Sequence, residues 1–272
     1  AIYDSSRGVN KLLYPNTDGQ ELSVTSGVSK FLKGGYAVGD AATSNNAGDS
    51  FVAWNWVANS GTTSTNTDGS ISSTVQANTT AGFSIVEFTT PSSTQDFTTG
   101  HGLSVAPRVF FFKRTDSTSG WAFYHQDVFD TYGNQYTLFL NTNNAAYAPN
   151  PGTAMYPSAT TATTFSLRAG ASIATSANCV AYCFNEVDGF SKFGKYTGNG
   201  STDGPFIYTG FRPAWVMYKQ INTTNYWAIF DSKRSPHNVM QNRLAANYTN
   251  VEDVSTANQQ DFLSNGFKLR GT

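Results

Sequence analysis

Charge is what this chain has least of. Asp, Glu, Lys and Arg make up 13% of its 272 residues, about half the share usual in a soluble domain. The formal net charge is −1, and no basic stripe of the kind used by nucleic-acid binders stands out. No apolar run approaches the roughly 20 residues that span a bilayer. Neither nucleic-acid binding nor membrane insertion is therefore expected. The opening Ala1-Ile2-Tyr3-Asp4 lacks the basic and apolar regions of a signal peptide, so any export is expected by another route. Cysteine is scarce too: the pair is Cys179 and Cys183. On a strand they would lie about 13 Å apart at ~3.3 Å per residue, beyond the ~7 Å reach of a disulfide. Both are expected to be free, buried thiols, which excludes a disulfide-stapled scaffold.

Helical periodicity is also missing. No 10–15-residue helical pattern separates the apolar runs, so a parallel βαβ architecture is not expected. What the chain does have is Ser, Thr, Asn and Gly for turns, and 14% aromatic residues that suit pleated, half-buried surfaces. The expected class is all-β, with antiparallel sandwich sheets and many loops.

The dominant feature is an internal repeat. Ala106-Pro107-Arg108-Val109-Phe110-Phe111-Phe112-Lys113 is followed by Trp121, and Arg212-Pro213-Ala214-Trp215-Val216-Met217-Tyr218-Lys219 is followed by Trp227. Pro107 and Pro213, Lys113 and Lys219, and Trp121 and Trp227 share one offset of 106 residues. A third copy begins at Ala1-Ile2-Tyr3-Asp4-Ser5-Ser6-Arg7, which matches Ala228 to Arg234. Closing strands recur at Phe51–Trp56 and Cys179–Phe184, and opening strands at Gly82–Phe88 and Gly189–Tyr196.

These matches divide the chain into units. Residues 1–57 read as the second half of a β-sandwich repeat, and 58–80 as a Ser/Thr/Asn-rich linker or arm in which Ile71, Val75 and the alternation around them allow a short strand. Residues 81–187 read as a complete repeat, and 188–272 as a third repeat lacking its closing strand. Tandem antiparallel β-sandwiches of about 100 residues follow. Partial sandwiches expose unpaired strand edges. The chain is therefore expected to belong to a longer polypeptide or to form a homo-oligomer by strand donation, with 59–81 as the natural donor arm.

At these residues a resemblance appears. Gly210-Phe211-Arg212-Pro213, Val216, Lys219, Trp227, Asp231, Arg234, Gly266-Phe267-Lys268-Leu269 and Val52-Ala53-Trp54-Asn55-Trp56 resemble a repeat of tail-fibre and virion-appendage proteins of marine phages, cyanophages included. The resemblance covers nearly the whole chain. It implies a concanavalin-A-like or jelly-roll sandwich, a virion or extracellular location reached on lysis, and other virion proteins or host-surface glycans as partners. The middle unit departs from the pattern: His125 stands where the outer units have Asp4 and Asp231, and no Arg matches Arg7 and Arg234.

No residue is expected to be catalytic, cofactor-binding or metal-binding, and no cofactor is expected. His101, His125 and His237 fall at unrelated positions without metal spacing. Glu87, Asp127, Glu186 and Asp188 are acids of the kind a glycosidase pairs across a cleft, but nothing in their spacing selects two. Cys179 and Cys183 replace aromatic-strand positions and read as packing. Trp121 and Trp227 suit either sugar stacking or a core, and the core reading is favoured. Asp4/Arg7 and Asp231/Arg234 share an i, i+3 spacing that a strand would split between faces. A loop-ordering salt bridge on a turn is expected. The function expected is structural, in a phage tail fibre or similar appendage contributing to host attachment. A carbohydrate-binding module is the alternative, and a glycan-degrading enzyme is less favoured.

Overall fold

A computed structural model describes residues 1–148, 154–170, 173–254 and 256–271. The first unit contributes β1 (Lys11–Leu12), β2 (Leu22–Ser23), β3 (Val28–Leu32), β4 (Gly35–Val38) and a single helical turn α1 (Ala42–Asn45). The middle unit holds β5 (Ser64–Asn66), β6 (Ser73–Asn78), β7 (Phe83–Thr89), β8 (Asp96–Gly100), β9 (Val109–Arg114), β10 (Ala122–His125), β11 (Leu138–Phe139), β12 (Thr164–Arg168) and β13 (Asn178–Phe184). The third holds β14 (Phe206–Tyr208), β15 (Trp215–Tyr218), β16 (Ala228–Asp231), β17 (Asn242–Ala245), β18 (Asp253–Val254), β19 (Gln260–Leu263) and β20 (Gly266–Leu269). The chain is all-β, and every strand pairing is antiparallel.

Seven strands of the middle unit form one sheet in the order β11-β10-β9-β13-β7-β6-β5, facing the β12-β8 ribbon. Alternation along each strand sorts its side chains between two cores. Val86, Phe88, Phe110, Phe112, Cys179, Ala181 and Cys183 face the ribbon, where Phe97, Phe165 and Leu167 meet them. Phe83, Ile85, Val109, Phe123, Val180 and Tyr182 face the other way, against Leu13 of the first unit and Trp227 of the third. Both faces of this sheet are therefore covered. That explains why Val109–Phe112 and Cys179–Cys183 read as continuous apolar runs.

The repeat is structural. Strand β9 maps onto β15, and β10 onto β16, at the offset of 106. Their hairpins share a register, with Phe112↔Ala122 matching Tyr218↔Ala228. In the third unit a four-stranded sheet β15-β16-β17-β18 and a three-stranded sheet β14-β20-β19 enclose Val216, Phe230, Met240, Phe262 and Phe267.

Three expectations need correction. Residues 58–80 are not a linker or a spare donor arm: β5 and β6 form the edge of the middle sheet. Strand β6 pairs with β7 from Ser73↔Phe88 to Asn78↔Phe83. Its turn into β7 uses Gly82 at φ +64°, where a side chain would meet Asn185. Second, Phe51–Trp56 is not a strand, although it carries the closing sequence. It leans on the third unit, with Trp54 and Trp56 6.5 and 5.8 Å from Trp215. Third, Gly189–Tyr196 is an opening strand only in sequence; a lone bridge joins Val187 to Ser191. The physical reason is shared. In the middle unit β13 is held between β7 and β9, and β7 between β13 and β6. Among the described residues, neither outer unit supplies both neighbours.

Candidate functional site

The two junctions between units are where the chain's unusual polar groups gather. At the first, Trp121 donates its indole N–H to the Tyr14 carbonyl at 2.8 Å. Ser119 N–H donates to Asp18 O at 2.8 Å, and Glu21 N–H to Thr115 O at 2.9 Å. At the second, Trp227 Nε1 donates to Phe139 O at 3.0 Å, Asn225 N–H to Asn143 O at 2.8 Å, and Ala146 N–H to Ile221 O at 2.7 Å. Residues 115, 119 and 121 become 221, 225 and 227 by adding 106. Residues 14, 18 and 21 become 139, 143 and 146 by adding 125. The same three bonds are therefore made twice, between equivalent atoms. Within each unit the tryptophan's backbone N–H is held by an asparagine side chain, Asn141 Oδ1 or Asn247 Oδ1, at 2.8 and 3.0 Å.

Trp121 and Trp227 are buried, as the core reading expected, but each reaches into the preceding unit rather than only its own. The repeat lysines serve the same loops. Lys113, fully buried, donates from Nζ to Asp18 O at 2.8 Å and to Ser119 O at 2.5 Å. Lys219 donates to Gln220 O at 2.5 Å within its own hairpin. Burial pushes both ammonium groups down to about 8.

The Asp/Arg pairs sit on turns, as the spacing required. Arg7 Nε meets Asp4 Oδ2 at 2.5 Å, and the N–H groups of Ser6 and Arg7 donate to Asp4 Oδ1. Arg7 Nη1 also bonds Lys11 O and Glu21 Oε2, at 3.2 and 2.9 Å. Arg234 repeats the set with Asp231 at 2.6 Å, Asn242 O at 3.2 Å and Glu252 at 2.6 Å. Burial alone would raise the Asp231 carboxyl; the hydrogen bonds from Arg234 and Lys233 hold it below its usual range. Glu21 and Glu252 escape sequence comparison because they follow their arginines at different spacings, 14 and 18 residues. In the middle unit all three charges are gone: His125, Val128 and Ala146 take the places of Asp, Arg and Glu. There His125 Nδ1 accepts the Asp127 N–H at 3.2 Å, the bond that Asp4 takes from Ser6. Gln135 Nε2 bonds the carbonyls of His125 and Val128 at 2.7 and 2.6 Å. A neutral turn replaces an ionic one.

The remaining candidates are dispersed. His101 is buried, with Nδ1 accepting Leu103 N–H and Nε2 facing Thr161 O, both at 3.2 Å. Burial lowers the pKa of His101 and of His125. His237 lies exposed in a loop. Glu87 faces the first junction, and burial and then Asp4 raise its pKa. Arg108 lies 3.7 Å from both Asp127 and Glu186, and Lys192 meets Glu186 at 2.9 Å. Asp188 lies in the turn after Val187. Among the described residues no cluster of three His, Cys, Asp or Glu is arranged to hold a metal ion. Cys179 and Cys183 are free and buried in the sandwich core; burial pushes the Cys179 thiol up to about 12 and also raises Cys183.

An open cleft lies at the second junction. It is lined by Asn141, Thr142, Asn143 and Asn144 of the middle unit and by Tyr226, Asn247 and Tyr248 of the third. The Tyr226 and Tyr248 rings are 4.8 Å apart at 40°, and Tyr248 is 44% exposed. Sequence reading overlooked both tyrosines because they fall outside the repeated motif. The signal that would have found them is their equivalents at the first junction, Gly120 and Thr142.

Comparison with curated proteins and with solved structures gives no match. A family model matches residues 1–272, the whole span of all three units. The chain belongs to the family described as Domain of unknown function (DUF7483).

Proposed function

We propose that this chain is a structural segment of a virion appendage, a tail fibre or similar, in which tandem β-sandwich units transmit shape and load and contribute to host attachment. The observation that carries this reading is the repeated junction. Three hydrogen bonds recur between equivalent atoms, so one unit-to-unit step is used twice within 272 residues. A fixed step between like units is how repeat proteins make length. The low charge and the Ser/Thr/Asn surface suit an assembly outside a cell. Its partners are then further units of the same kind, other copies of the chain, or neighbouring virion proteins. The reading is non-enzymatic. The acids that share a neighbourhood flank arginines: Asp127 and Glu186 lie on either side of Arg108, and Asp4 and Glu21 both bind Arg7.

Immunogold electron microscopy of purified virions, from a lysate containing this protein, tests the proposal. Gold on a tail or fibre is the expected result. Protein that fractionates away from particles overturns it.

A further inference from the structure

The cleft at the second junction contains more than the junction needs. The first junction makes the same three hydrogen bonds with Gly120 and Thr142 where the second has Tyr226 and Tyr248. The two tyrosines are therefore not required to join units. A phenol ring left partly exposed is an apolar face with a polar tip, the side chain most used where a surface must recognise something.

The rest of the lining has one chemistry. Asn141 and Asn247 spend their oxygens on the tryptophan backbones, which leaves their NH₂ groups free as donors. Among the described residues, the side-chain amides of Asn143 and Asn144 meet no partner. No charged side chain lines the cleft. The site thus offers an aromatic surface beside a row of neutral amides, with nothing to neutralise a phosphate, sulfate or carboxylate. With ring centroids 4.8 Å apart, the tyrosines leave no slot for a flat base between them. They lean partly face on face, which leaves the exposed side of Tyr248 as a surface against which a saturated ring can lie.

We infer that this cleft binds a neutral saccharide. The C–H face of a pyranose packs on the exposed side of Tyr248, which Tyr226 backs, and its hydroxyls pair with the amides of Asn141, Asn143, Asn144 and Asn247. Only the cleft takes part in this binding, so it does not depend on a place in a virion.

The test is a glycan array carrying neutral, sialylated and sulfated oligosaccharides, probed with the full 1–272 chain displayed multivalently. The variant is the double substitution Tyr226→Gly and Tyr248→Thr, which installs the residues the first junction already uses. The fold is expected to tolerate it, and a thermal melt of the variant checks this. Binding to at least one neutral oligosaccharide is expected, lost at least tenfold in the folded variant. As a second variant, Asn144→Ala, at an exposed position, is expected to weaken the same binding. Three results each overturn the inference: no neutral glycan retained by the wild-type chain, binding confined to acidic glycans, or neutral binding undiminished in both variants.

Discussion

At the scale of single residues, the repeated tryptophan ties sequence to assembly most directly. Trp121 is wholly buried and its N–H meets a carbonyl of the preceding unit. Trp121→Phe keeps most of the ring but strands the Tyr14 carbonyl. A loss of about 1–3 kcal/mol is expected, and Trp227→Phe should cost a similar amount through Phe139; urea unfolding of each variant measures both. The ionic turn makes a sharper test. Arg7→Val leaves the buried Asp4 without its cation beside Glu87, and leaves Glu21 with Lys11 alone, at 3.1 Å; breaking a buried pair in this way costs about 3–5 kcal/mol. The triple change Asp4→His, Arg7→Val and Glu21→Ala installs the middle unit's neutral set. It should cost less than Arg7→Val alone in the same denaturation assay. The histidines set a pH dependence. His101 and His125 have folded pKa values lowered by burial, so the unfolded chain binds more protons as acid is added. Their contribution is fully present above about 6.5 and is lost as pH falls. His125→Asn keeps a turn acceptor without a titrating ring, so the fall in urea midpoint between pH 7.5 and 5 should be smaller in that variant.

At the scale of elements, the edge strands matter most. Strand β6 covers an edge of β7 that would otherwise be bare. Deleting 59–80 should therefore unfold or aggregate the middle unit, not merely shorten a tether; circular dichroism and size-exclusion chromatography of the deletion read this out. Limited proteolysis should spare Ser73–Asn78 in the intact chain. The strand-length apolar runs, the hairpin loops after β9 and β15, and the turn under each Asp/Arg pair were all readable from sequence, because each depends on neighbours within about 20 residues. The role of 58–80 was not. Its Ser, Thr and Asn read as linker, with the alternation around Ile71 and Val75 allowing a short strand, and only pairing with β7 fixes Ser73–Asn78 as a sheet edge. The same context rule works in reverse for Phe51–Trp56 and Gly189–Tyr196, whose sequences match strands that two neighbours hold in the middle unit.

At the scale of the molecule, the second core decides how the units behave. It draws Leu13 from the first unit, Trp121, Phe123 and Tyr182 from the middle one, and Trp227 from the third. A shared core of this kind couples the units, so 1–272 should unfold in one calorimetric transition, whereas 81–187 alone should be poorly soluble. The sequence by itself determined the class, the period of the repeat, the buried free thiols and the place of each Asp/Arg turn, since these follow from alternation, spacing and the reach of a side chain along one segment. The tertiary structure alone decided three things. Each tryptophan serves the unit before its own. Glu21 and Glu252 complete the ionic turns across loops of unequal length. Tyr226 and Tyr248 meet the asparagines of another unit to make a cleft. The physical reason is common to all three: each depends on a contact between segments whose separation in the chain carries no periodic signal, so only folding brings them within hydrogen-bonding or van der Waals range.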